Sequence, residues 1–91
     1  MLFGCTTGEK PVEQYILAKT AYDAAAGADA SKYAARLLYR SEKHYKRGEA
    51  LFKDRYYQEA DQEFKMAQKY AERAETISRL KQFQAAGGGN Y

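Results

Sequence analysis

From Tyr57 to Phe83 the chain reads YQEADQEFKMAQKYAERAETISRLKQF, with no Gly and no Pro. Small or apolar residues return at Tyr57, Ala60, Phe64, Ala67, Ala71, Ala74 and Ile77. Steps of three and four trace one face of an α-helix, so the pattern predicts a long helix over 56–84. Asp61–Lys65 and Glu75–Arg79 support it as i,i+4 pairs. A helix with one apolar seam needs partners to cover that seam, and two upstream stretches supply them. Val12, Tyr15, Ala18, Tyr22 and Ala25, with Ile16 and Ala21 beside them, form a stripe over 11–26. Pro11 suits a first helical turn, where its missing N–H costs nothing, and Gly27 suits a stop. A third pattern runs over 31–53, through Ala34, Leu37 or Leu38, Ser41, Tyr45, Gly48, Leu51 and Phe52. Asp29 or Ser31 offers it an N-cap oxygen. Gly48 inside this helix implies close approach of a neighbour, since a helical Gly is about 1 kcal/mol worse than Ala.

The short stretch Gly27–Asp29 predicts that the first two helices run antiparallel. Lys53-Asp54-Arg55-Tyr56 is the candidate for the second turn, although it contains no Gly. The alternative is one helix from Ser31 to Gln84, about 80 Å long at 1.5 Å per residue, which oligomerisation would have to cover. The expected fold is therefore all-α: a three-helix antiparallel bundle over 11–85. It is flanked by a flexible tether over 1–10 and a Gly-rich tail over 86–91, both expected to be disordered.

Composition narrows the class without changing this picture. Ninety-one residues make one small domain with a modest core. No apolar run approaches the roughly 20 residues that a spanning helix needs. Nine tyrosines are many, and their amphipathic rings suit the edges of seams otherwise built from Ala. The net charge of +3 is unevenly placed. Asp29–Lys53 holds seven Lys/Arg against three acidic residues, while Asp54 onward holds six of each sign. Within the middle helix Lys32, Arg36, Arg40, Lys43 and Arg47 recur at steps of four, four, three and four, away from the apolar seam. A solvated face is the plain reading. The functional one is attraction to an anionic surface such as lipid head groups or a phosphate-rich polymer. Nucleic acid ranks third, because no base-reading motif accompanies the stripe.

Little else carries chemistry. The single His44 has neither the His nor the Cys partners that a metal site requires. Carboxylate pairs such as Asp61 with Glu63, or Glu72 with Glu75, arise on any charged helix face. Gly87-Gly88-Gly89 opens no helix and is not a phosphate loop. Cys5 has no base at hand to activate it as a nucleophile. A non-enzymatic protein without cofactor or small-molecule substrate is expected.

Two family resemblances rest on these residues. Gly48, Leu51, Tyr57, Ala60, Phe64 and Ala67 have a spacing similar to a tetratricopeptide helix hairpin, over Ser41 to Ala74. His44, Arg47 and Glu72 depart from that family's usual Trp, Leu and Pro. About three repeats are needed for a peptide-binding groove, so only the hairpin packing transfers. Leu2-Phe3-Gly4-Cys5 resembles the cleavage and acylation point of a bacterial lipoprotein signal, with Cys5 as the lipid acceptor. Phe3 is bulkier than the usual occupant, and an ordinary tail Cys is the other reading. The whole chain looks like a small helical domain of unknown function found in bacterial envelope lipoproteins, through Cys5, Pro11, Ala18, Ala21, Tyr33, Ala34, Leu38, Tyr39, Tyr57, Ala60, Ala67, Tyr70, Ala71 and Ala74. That resemblance implies a lipid-anchored, periplasm-facing module, at the outer membrane by preference, with a protein partner in the envelope. It leaves homo-oligomerisation and a soluble tetratricopeptide-like adaptor as open alternatives.

Overall fold

A computed structural model describes residues 10–87, and they are all-helical, with no strand among them. Four helices follow one another: α1 (Val12–Gly27), the single turn α2 (Ala30–Tyr33), α3 (Ala35–Lys53) and α4 (Tyr57–Ala85). The count of three is corrected, because the stretch expected as one helix over 31–53 breaks at Ala34 (φ −147°, ψ 49°). The turn after Lys53 is real, and the single-rod alternative is ruled out. Asp54 ends α3, Arg55 takes a left-handed φ of 68°, and Tyr56 precedes α4.

Side-chain pairings fix the directions. Ser41 Oγ donates to the Ala67 carbonyl at 2.8 Å, and Phe52 meets Tyr57 edge-on, so α3 runs antiparallel to α4. Gln14 Nε2 donates to Gln68 Oε1 at 2.6 Å and Gln82 Nε2 to the Ala28 carbonyl, so α1 runs parallel to α4. The long helix α4 is therefore the spine, with α1 and α3 laid against it. Its buried face is Ala60, Phe64, Ala67, Ala71, Ala74 and Ser78. This is the predicted seam, except that Tyr57 and Ile77 at its two ends are half-buried and Ser78 is fully covered at the far end.

The core is made of small residues. Ala21, Ala25, Ala30, Ala71 and Ala74 pack at one end, with Leu37 and Leu38 against them. Ala18, Ala60, Phe64 and Ala67 pack at the other, with Tyr15, Tyr45, Leu51 and Phe52 around them. Phe64 is the one large side chain among the described residues with no exposed surface, and it lies where Gly48 of α3 has no side chain. A Cβ on Gly48 would come within 2.6 Å of the Phe64 ring, which explains the glycine inside α3.

Three local expectations are corrected. Val12 and Ile16 are 47% and 54% exposed instead of lying on a covered stripe. Helix α1 is covered chiefly by α4, so its buried face narrows to Ala18, Ala21 and Ala25. Pro11 precedes α1 as its N-cap instead of opening it, and its carbonyl accepts the Tyr15 N–H at 2.9 Å. Gly27 is the last helical residue and not the stop; the left-handed residue that reverses the chain is Asp29, φ 64°. Asp29 stands at the N-cap of α2 but makes no side-chain capping bond.

Candidate functional site

The cationic stripe is the site that the sequence singles out. All five of its residues are exposed. Arg36, Arg40, Lys43 and Arg47 share α3, whereas Lys32 sits on α2 beyond the break at Ala34, out of their helical register. Lys32 Nζ lies 5.3 Å from the centre of the neighbouring Tyr33 ring. The four on α3 lie away from Ser41 and Gly48, which face α4. Their steps of four, three and four keep them on one side of the helix.

Beside the stripe is a cluster built on His44, for which the sequence shows no metal-ligand partner. His44 Nδ1 is 2.7 Å from Glu63 Oε1, and Arg47 Nη1 is 3.8 Å from Glu63 Oε2. The His44 ring stacks on Tyr70 at 5.6 Å with planes 11° apart, and the Arg40 guanidinium lies 5.8 Å from the same Tyr70 ring. Glu63 is thus held between His44 and Arg47, and Tyr70 between His44 and Arg40, with His44 common to both. The signal that could have found this cluster is the turn itself. Folding the chain back at Asp54 brings residues such as His44 and Glu63, nearly equidistant from it, to the same level of the hairpin. The other carboxylates suspected as pairs are bonded separately: Asp61 to Lys65, Glu72 to Gln68 and Glu75 to Arg79.

A second feature is an open groove of about 870 Å³ where α1 begins and the α3–α4 turn closes. Val12, Tyr15, Phe52 and Tyr57 form its apolar wall, with buried Phe64 behind them and Lys46, Glu49, Lys53 and Arg55 at its margins. Sequence spacing missed it because it arises from α3 and α4 reaching past the start of α1. The α3–α4 seam, in contrast, is filled by Phe64 and the alanines. Burial first, then the neighbouring Tyr15 hydroxyl and the Glu49 carboxylate, hold the Tyr45 hydroxyl well above its ordinary ionisation range. Burial first, then Glu42, also raises Tyr22. Cys5, the predicted lipid acceptor, lies outside the described residues.

A family described as a domain of unknown function (DUF4398) matches residues 13–87, which takes in all four helices apart from Val12. The chain belongs to this family. No curated protein and no solved structure matches it. Membership in DUF4398 covers the spine helix, the stripe and the His44–Glu63 cluster alike, because all lie inside the matched residues. No helix among the described residues of this DUF4398 chain is long and apolar enough to cross a membrane.

Proposed function

We propose that this DUF4398 chain is a non-enzymatic, lipid-anchored domain of a bacterial cell envelope. It faces the periplasm, with the outer membrane the favoured site, and works as a structural or protein-interaction module. In this reading the three long helices act as one antiparallel bundle, and acylation of Cys5 holds it at the surface. The observation that carries the proposal is Leu2-Phe3-Gly4-Cys5 standing seven residues before Val12, where α1 opens. Seven extended residues reach at most about 25 Å, so an acylated Cys5 keeps the start of α1 within that distance of the bilayer. One acyl chain anchors weakly, whereas several hold firmly. Exposed Ile16, Leu17, Tyr39, Leu80 and Phe83 then provide apolar contact points for a partner in the envelope.

The soluble tetratricopeptide-like adaptor is the weaker reading. It needs a concave surface between α3 and α4, and that seam is occupied by Phe64 against Gly48. Mass spectrometry of the protein produced from its native gene in a bacterium tests the proposal. The expected result is a lipid-modified Cys5 in the membrane fraction, lost in Cys5→Ser. An unmodified Cys5, or a protein found wholly in the cytosol, overturns it.

A further inference from the structure

The fold sorts the charges of α3 into two sides. Glu42 and Glu49 line the shallow groove against α1, together with Lys19, Asp23 and Lys46. Two of those cations are spent locally, Lys46 on Glu42 at 3.2 Å and Lys19 on Asp23 at 3.4 Å. Arg36, Arg40, Lys43 and Arg47 point the other way. The carboxylate that faces them, Glu63, is occupied by His44 and shared with Arg47. Among the described residues no carboxylate pairs with Arg36, Arg40 or Lys43. Across Tyr70, α4 adds exposed Lys69 and Arg73, with Glu72 between them accepting from Gln68. Tyr39, 64% exposed, stands on the same helix between Arg36 and Lys43.

We propose that this outer side of α3 is a docking surface for an anionic phospholipid membrane, which the Arg36–Arg47 row lies against. The row contributes the long-range attraction, since a fixed cation near an anionic leaflet gains free energy within about one Debye length. Tyr39 contributes an amphipathic ring, the type of side chain that settles at head-group depth. Arg40 is pre-positioned, because stacking over Tyr70 limits its freedom before contact. The choice of lipid over another polyanion rests on the lipid-anchored reading above. The charge separation itself does not.

The test uses the full chain carrying Cys5→Ser, so that no acyl chain assists. Vesicles of phosphatidylcholine alone are compared with vesicles that also contain phosphatidylglycerol, by sedimentation. Binding is expected only with phosphatidylglycerol and is expected to weaken steeply as salt rises. The variant R36Q/R40Q/K43Q/R47Q should bind several hundredfold more weakly, at roughly fivefold per surface cation. Lys19→Gln with Lys46→Gln, on the α1 side, should change binding less than about twofold, because both are already paired there. Helical circular dichroism and the melting temperature of each variant verify that the fold persists. Equal binding to both vesicle types, or full binding by the quadruple variant, overturns the proposal. So does a preference for duplex DNA over the anionic vesicles. Because Cys5 is absent, a failure here removes the basic surface and leaves the acylation reading standing; failure of the acylation reading leaves the charge separation and removes the reason for choosing lipid.

Discussion

Gly48 and Phe64 are the residue pair on which the hairpin closes. Sequence alone signals the glycine as a close approach, because a helix tolerates such a residue only for a reason. The structure supplies the reason as a ring less than 3 Å from where a Cβ would stand. Two effects oppose each other in Gly48→Ala. Alanine favours the helix by about 1 kcal/mol. Overpacking a filled core is destabilising by typically about 1–3 kcal/mol. Phe64 cannot swing away, since Tyr15, Tyr45 and Phe52 surround it at centroid distances of 5.2, 5.9 and 6.5 Å. Steric cost should therefore win. Gly48→Ala is expected to lower the melting temperature by roughly 5–10 °C for a chain of this size. Combining it with Phe64→Leu should recover part of that loss, the coupling expected of neighbours. A melting temperature that rises in the single variant would show that the ring yields freely.

Elements were legible where they repeat and illegible where a distant side chain ends them. The seam of α4 follows from spacing alone, whereas for the stop at Asp54 the sequence offers a candidate beside the alternative of one helix from Ser31 to Gln84. The break at Ala34 does not, because Ala30-Ser31-Lys32-Tyr33-Ala34 contains no Gly or Pro and reads as helix. Lys81 Nζ donates to the Tyr33 carbonyl at 2.8 Å, and Gln82 holds the Ala28 carbonyl. Lys81 thus satisfies, from 48 residues away, a Tyr33 carbonyl that an unbroken helix over 31–53 would have satisfied itself. Separation in sequence, 19 residues between His44 and Glu63, also hid their contact and the groove beside α1. At the other junction the strain is local. Arg55 occupies left-handed space, which is unfavourable by about 1–2 kcal/mol for a residue with a Cβ. Arg55→Gly removes that strain at the smaller entropic cost of a more flexible unfolded chain. It should raise stability by about 0.5–1 kcal/mol, read as a higher urea midpoint at unchanged slope. Asp29→Gly should gain less, since Asp tolerates the same region. Equal gains at the two sites would mean that side-chain strain is not what distinguishes them.

Across the whole molecule, α1 is joined to α3 by tyrosines more than by aliphatic packing. Tyr45 stacks on Tyr15 at 5.7 Å and on Tyr22 at 6.5 Å, forming a layer between the two helices. Folding holds the Tyr45 and Tyr22 hydroxyls above their usual ionisation range. In the unfolded chain they ionise near pH 10, at about the ordinary tyrosine value. Above that pH the unfolded chain binds fewer protons than the folded one, so the free energy of unfolding falls as pH rises. Below about pH 10 both states keep these protons and the layer contributes in full. Alkaline unfolding should therefore be cooperative. Phenolate absorbance of Tyr45 and Tyr22 should appear together with the loss of helical circular dichroism. Tyr45→Phe keeps the stacked ring and removes the ionising group, so its stability should fall less steeply above pH 10 than that of the parent chain. An identical alkaline slope would place the sensitivity elsewhere and leave the tyrosine layer as packing alone.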